Sequence, residues 1–325
     1  MKGPLDPFGR SIDYLRISVT DRCNLRCIYC MPPEGVPHIS HSEILSYEEI
    51  RLVVQAAAQL GIRRIRLTGG EPLVRADFPE LVKMLSRIEG IMELSLTTNG
   101  ALLKDYAQVL KQAGLSRVNV SLDTLRADRL QDITRLGELE DVHAGIEAAK
   151  EVGLYPIKIN AVVIRGINDG EILDFARMTY TEGWHVRFIE LMPFKGVAQP
   201  VPSVEVQQHV SSLGRLEPCM SITGNGPARY YRLAGGQGTI GFINPLTEIY
   251  FCSRCNRMRL TPDGKLRPCL LGDDEIDLRT PLRSNASMDE LKRLILKAVA
   301  SKPEHHHLKD TNDRPLERKM SQIGG

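Results

Sequence analysis

From residue 14 to about residue 193 the chain switches repeatedly between two hydrophobic rhythms. In the short runs apolar and polar residues take turns. Leu15, Ile17 and Val19 are interleaved with Arg16 and Ser18, and Ile65 and Leu67 with Arg64, Arg66 and Thr68. Leu94 and Leu96 alternate with Glu93, Ser95 and Thr97, and Ile157, Ile159 and Ala161 with Lys158 and Asn160. A period of two marks a strand with unlike faces, so strands are predicted at 14–19, 64–68, 92–97, 116–121, 157–163 and 186–190. Between them, apolar residues recur at helical spacing over 46–60, 78–88, 103–113 and 139–152. The first of these opens with a capping box, Ser46 and Glu49, and stops at Gly61; the last stops at Gly153.

Alternating strands and helices predict a parallel sheet. Parallel strands covered on both faces read as continuous apolar runs, and these do not. One face suits a ring of helices, while the other presents charges and hydroxyls. Six such strands cannot close as tightly as eight, so the polar face lines a lumen open to a ligand. The expected fold is α/β, a partial (β/α)6 TIM-like barrel over residues 1–194. Beyond it the alternation stops. A short helix at 201–213, a Gly-rich stretch at 224–238, a run at 239–242, a charged helix at 288–300 and a polar tail from 301 predict a C-terminal extension, 195–325, that covers the lumen.

Composition narrows the class. The 325 residues carry a formal charge of only +2 and are 42% hydrophobic, which supplies a core and gives no bulk signal for nucleic acid or a membrane surface. The start, MKGPLDPFGR, has no apolar signal core, and no stretch approaches a bilayer span. A cytoplasmic setting is expected, where cysteines read as ligands rather than disulfides.

Six of the seven cysteines form two triads, Cys23-x3-Cys27-x2-Cys30 behind the first strand and Cys252-x2-Cys255-x13-Cys269 near the other end. Three thiolates are one short of a closed tetrahedral metal site or a fully ligated four-iron cluster. An open iron that holds a small molecule explains the shortage. Zinc is the other reading, completed by His38 or His41 at the first triad and by Asp263 or a distant residue at the second. The strand ends carry further polar groups: Gly69-Gly70-Glu71-Pro72, Thr97-Thr98-Asn99-Gly100, Ser121-Leu122-Asp123 and Glu190-Leu191-Met192-Pro193. Active sites of parallel α/β sheets sit at this edge. Arg16, Arg66 and Lys158 all face the lumen, and three cations in one cavity repel each other unless an anion, such as a triphosphate, or several carboxylates compensate them. Arg257 and Arg259 offer planar forked donors for a purine or phosphate.

The spacing of the first triad, with aromatic Tyr29 before its last cysteine, resembles the radical S-adenosylmethionine superfamily. The segment 251–269 is similar to the second-cluster segment of the GTP 3′,8-cyclase family, and the resemblance runs from Arg16 to Gly324-Gly325. It implies a lyase of molybdenum cofactor biosynthesis with two [4Fe-4S] clusters. Cys23, Cys27 and Cys30 would hold the first, and Cys252, Cys255 and Cys269 the second. S-Adenosylmethionine is expected on Tyr29, Gly70, Ser121 and Met192, and GTP on Arg16, Arg66, Thr97, Lys158, Arg257, Met258 and Arg259. Gly324 and Gly325, with Arg257 and Arg259, are expected to serve the radical step, in which the ribose 3′ hydrogen is removed and C8 of guanine attacked. The resemblance further implies a reductant, a homodimer and a downstream cyclic pyranopterin monophosphate synthase. Another two-cluster radical enzyme acting on peptides or sulfatases, or a non-catalytic metal-bearing nucleotide binder, are the competing readings. No role is expected for Cys219 or for the run His305, His306 and His307.

Overall fold

The computed structural model describes residues 2–192, 199–220, 226–306 and 318–324. The first part of the chain runs β1 (Tyr14–Ser18), α1 (Tyr47–Gln59), β2 (Arg64–Thr68), α2 (Phe78–Ser86), β3 (Glu93–Thr98), α3 (Leu103–Gln112), β4 (Arg117–Ser121), α4 (Ala127–Thr134), α5 (Leu139–Glu151), β5 (Lys158–Val163), α6 (Ile172–Thr181) and β6 (His185–Glu190). The six strands lie side by side in chain order and all pair in parallel. Each predicted strand is present to within a residue at either end. The helices α4 and α6 had no counterpart among the predicted ones. Both are short and broken by charge, with Asp128, Arg129 and Asp132 in α4 and Asp174 and Arg177 in α6.

The rest of the chain adds α7 (Ser203–Ser211), β7 (Leu216–Cys219), β8 (Arg229–Leu233), β9 (Thr239–Ile243), β10 (Arg257–Leu260), β11 (Lys265–Arg267), β12 (Ile276–Asp277), α8 (Arg279–Arg283), α9 (Met288–Ala300) and α10 (Met320–Ile323). These strands extend the barrel wall at both edges. β10 pairs in parallel with β1, and β9 with β6, so the order is β12-β11-β10-β1-β2-β3-β4-β5-β6-β9-β8-β7. The sheet is open, as a partial TIM-like barrel. The extension is thus more than the expected cover: its residues Arg257–Leu260 and Thr239–Ile243 are wall strands.

The alternation sorts as its rhythm dictates. Leu15, Ile17, Ile65, Leu67, Leu94, Leu96 and Ile159 are buried in one core beneath the helices. That core takes in Val53, Val54 and Ala57 of α1 and Ile295 and Val299 of α9. The capping box at Ser46 and Glu49 is formed, an arrangement that contributes about 1 kcal/mol. On the opposite face, register lines up Arg259, Arg16, Arg66, Ser95 and Arg117 across five neighbouring strands. A second row sets Thr97 beside Asn119 and Lys158, and a third sets Ser121 beside Asn160 and Arg187. The lumen is therefore built of polar rows.

Candidate functional site

All six triad cysteines line one cavity at the carboxyl ends of these strands. The loop after β1 brings Cys23, Cys27 and Cys30 there, and the loop after β2 packs directly on it. Gly70 N–H donates to Thr20 O at 2.7 Å and Glu71 N–H to Arg22 O at 2.8 Å. A Cβ on Gly70 would sit 2.2 Å from Arg22 O, and one on Gly69 would sit 2.6 Å from Thr20 O, so the close approach of two backbones requires both glycines. Glu71 then ties β2 to β3. Its carboxylate accepts from Leu73 N–H, Thr98 Oγ1 and Asn99 N–H at 3.0, 2.9 and 2.7 Å. The Asn99 amide continues to Asn24 Oδ1 at 2.8 Å, back in the cysteine loop. Tyr29 Oη donates to Asp123 Oδ2 at 2.5 Å, which joins the same loop to the end of β4. Burial raises the carboxyls of Glu71 to about 7 and Asp123 to about 6. The thiols respond in kind: burial lifts Cys23 to about 11 and Cys30 to about 12, and Cys27 is raised by burial and then by Asp123.

The second triad comes from the turn before β10 and the loop after β11. Here burial still raises Cys252, but at Cys255 the balance is reversed. Burial raises the Cys255 thiol, but Arg257 and Lys302 outweigh it and hold Cys255 at about 6. Arg257 and Arg259 point into the cavity from alternate positions of β10, whereas Met258 between them is wholly buried in the core. The period of two leaves only its main chain for a ligand.

Between the triads the lumen is cationic. Arg16, Arg66 and Arg187 line the cavity, and Lys158, Arg117 and Asn119 lie buried beneath it. Arg117 pairs with Glu93, and both Arg117 and Arg187 donate to Asn119 Oδ1 at 3.1 and 2.8 Å. Arg66 stacks 5.3 Å over Tyr14, and Lys158 Nζ lies 5.1 Å over Tyr230. Arg16 is lowered by burial and then by Arg259 and Arg66, and Arg66 falls to about 10, chiefly by burial. Lys158 is lowered to about 6 by burial and then by Arg187, Arg117 and Arg66. The Glu93 carboxylate acts on both Arg66 and Lys158 and offsets part of this charge. Such an assembly is relieved by a polyanion.

Of the residues singled out in the sequence, Arg16, Tyr29, Arg66, Gly70, Thr97, Ser121, Met192, Arg257 and Arg259 all meet at this cavity with the six cysteines. The tail re-enters through Arg318, which is bonded to Asp263 and Glu275. Ser321 then approaches Cys30 through its main chain, and Gly324 is buried with its carbonyl accepting from Arg259 Nη1. At φ +74° a Cβ on Gly324 would also lie 2.8 Å from Thr68 Cγ2, so the position admits glycine best. Gly325 and His307 lie outside the described residues. The histidine run contributes more than the sequence suggested: His306 lines the cavity, its ring bonded to Pro245 O at 2.8 Å and its main chain directed at Cys252. Arg187 was also passed over, although Val186 and Phe188 on either side place it on the polar face. Cys219, at the end of β7, is outside the cavity lining.

The donors suit a multi-iron group at each triad. The six cysteines are free thiols lining the same cavity. Among the described residues no three His, Cys, Asp or Glu side chains gather closely enough for a single metal ion. His38 and His41 do not line the cavity, and Asp263 is engaged by Arg318 and Thr261. Three soft ligands with one iron left open match this set.

Comparison with known proteins agrees. A family model described as the radical SAM superfamily matches residues 17–179, and one described as Molybdenum Cofactor Synthesis C matches 184–308. A GTP 3′,8-cyclase of Pelotomaculum thermopropionicum is 54% identical over 98% of this chain and 99% of its own. One from Moorella thermoacetica is 53% identical over 98% and 99%. Among structures, Streptococcus suis SuiB bound to S-adenosylmethionine has a TM-score of 0.60 at 15% identity, over 83% of this chain and 64% of its own, so the likeness spans less than two thirds of SuiB. Native anSMEcpe with bound AdoMet has a TM-score of 0.58 at 15% identity, over 90% of this chain and 81% of its own. These structures share the fold. With half of all positions identical along nearly the entire length, the chain belongs to the GTP 3′,8-cyclase family of radical S-adenosylmethionine enzymes.

Proposed function

We propose that the chain is a lyase that converts GTP to (8S)-3′,8-cyclo-7,8-dihydroguanosine 5′-triphosphate for molybdenum cofactor biosynthesis. The observation that carries this is a single cavity lined by two three-cysteine sites and by cations from strands β1, β2, β6 and β10. When bound, the first [4Fe-4S] cluster with S-adenosylmethionine supplies a hydrogen-abstracting radical, and the second offers its open iron to guanine.

The chain's own part is binding and placement. Arg16, Arg66, Thr97 and Lys158 receive the triphosphate, joined by Arg187. Arg257 and Arg259 orient the purine, with Met258 contributing main chain only. Tyr29, Gly70, Ser121 and Met192 hold S-adenosylmethionine, whose positive sulfonium suits the neighbourhood of Glu71 and Asp123. Gly324 carries the tail beside Arg259, where a bulkier residue would fill the substrate's space, and the role in the radical step extends to Gly325. Residues 1–194 act as the barrel core and 195–325 as the extension that completes the substrate half. We extend the reading to a homodimer in the cytoplasm, fed by a protein reductant and passing its product to a cyclic pyranopterin monophosphate synthase. No helix of the described residues is long and apolar enough to cross a membrane.

The test is anaerobic incubation of the iron- and sulfide-reconstituted chain with GTP, S-adenosylmethionine and dithionite. Mass spectrometry should find a product isomeric with GTP, together with 5′-deoxyadenosine formed only when GTP is present. Bound zinc without visible absorbance, or 5′-deoxyadenosine with unaltered GTP, would sink the reading.

A further inference from the structure

Two buried cations contact the main chain of the second triad, and no local pattern in the sequence singled out either. Lys302 follows α9 and is 3% exposed. Its ammonium donates to Arg257 O at 2.8 Å and to Pro268 O at 2.6 Å. Those carbonyls belong to the two separate arms of the triad: Arg257 stands two residues after Cys255, and Pro268 immediately before Cys269. Arg10, also buried, grips the first arm, donating to Cys252 O at 2.8 Å and to the carbonyls of Pro303 and Glu304 at 2.5 and 2.8 Å. The chain segment 302–304 is thus bonded to both arms at once.

The two cations differ in one respect. Arg10 Nε is paired with the Asp6 carboxylate at 2.5 Å, so its charge is balanced locally. Lys302 has two main-chain carbonyls as its partners and no carboxylate among the described residues. A buried ammonium bonded only to neutral groups is costly unless negative charge stands near it. The negative charge available there is that of the triad's thiolates. Lys302 itself lines the cavity they share.

We propose that Lys302 is the positioning residue of the second triad, holding its two arms in register and supplying the positive charge that raises the reduction potential of the cluster bound there. The inference rests on the proposed function, in which that triad carries iron. Adding an electron to a cluster is favoured by a nearby cation, and weakly screened burial makes the effect large. The experiment compares the full-length reconstituted chain with Lys302→Gln, Lys302→Met and Lys302→Arg. Iron per chain and redox titration followed by electron paramagnetic resonance are the readouts, the second cluster being the signal that GTP perturbs.

The neutral variants should either lose the second cluster while keeping the first, or keep both with the second cluster's reduction equilibrium at least tenfold less favourable, about 59 mV lower. Lys302→Arg should restore the value toward wild type. Two clusters at unchanged potentials in Lys302→Gln and Lys302→Met would overturn the proposal, as would loss of both clusters with the helical circular dichroism. A charge-keeping variant that behaves like the neutral ones would overturn the electrostatic role. If the wild-type chain itself takes up no iron at the second triad, the proposed function fails first, and the two failures are told apart.

Discussion

The two triads hold the same number of thiols on the same cavity, yet they stand in opposite fields. At the first, burial pushes all three thiols upward, Cys30 to about 12, with Glu71 adding to the rise at Cys23 and Asp123 at Cys27. At the second, burial still raises Cys252, but Arg257 and Lys302 overcome it at Cys255 and pull that thiol down to about 6. Ligand count therefore does not distinguish the sites; surrounding charge does. A carboxyl-flanked open position suits a sulfonium with its ammonium group, and one flanked by forked cationic donors suits the acceptor edge of a purine whose triphosphate meets the arginines of the lumen rows. On the proposed function, this contrast gives S-adenosylmethionine and GTP different seats in one lumen.

Breaking the triads one at a time should give the largest effects and unlike ones. Cys27→Ser should lower 5′-deoxyadenosine formation by about a thousandfold or more, upwards of 4 kcal/mol of barrier, with half the iron retained. Chromatography of the nucleoside beside an iron assay decides it, and near-normal cleavage would contradict the assignment. Cys269→Ser should spare the first cluster and leave some S-adenosylmethionine cleavage, while GTP conversion falls at least about a hundredfold. Equal loss of both activities would erase the contrast.

Smaller effects sharpen the electrostatic side. Arg66→Ala should weaken GTP binding by about 10- to 100-fold, roughly 1.4–2.7 kcal/mol, and leave S-adenosylmethionine affinity unchanged, as equilibrium dialysis of each can establish. Lys158 gives a pH signature. In the folded chain it holds its proton only below about 6, whereas an unfolded lysine holds one to about 10.4. Between those values the unfolded state binds more protons, so ligand-free stability should rise with pH across that window. Lys158→Met should flatten the rise and raise the ligand-free Tm at pH 7 by about 2 °C or more, while weakening GTP binding. A lower Tm in that variant would show that Lys158 is already compensated.

The barrel was legible because a period of two over four or five residues states both that a strand exists and which side faces the helices. The same rhythm identified Arg16 and Arg66 at the lining, and applied evenly it would have found Arg187. Along β10 the alternation puts the Met258 side chain in the core, whereas the family resemblance alone grouped Met258 with Arg257 and Arg259. Strands β7, β8, β10, β11 and β12 were not read. Each has five residues or fewer, and β10, with arginines at alternate positions, looks like an exposed basic run until β1 is set beside it. The clamp of Arg10 and Lys302 lies still further from reach. It is made of main-chain acceptors about 240 and 290 residues from Arg10, and 45 and 34 residues from Lys302. No local pattern encodes a carbonyl's position.

The pairing of β10 with β1 has a consequence for synthesis. Tyr14 emerges from the ribosome early, and its register partner Arg257 more than two hundred residues later. At 5–20 residues per second the first barrel strand waits roughly 12–50 s with its hydrogen-bonding edge exposed. An open edge of that kind is a template for another chain. The edge therefore stays open until about four fifths of the chain has appeared, and anything that slows translation before Arg257 lengthens the exposure.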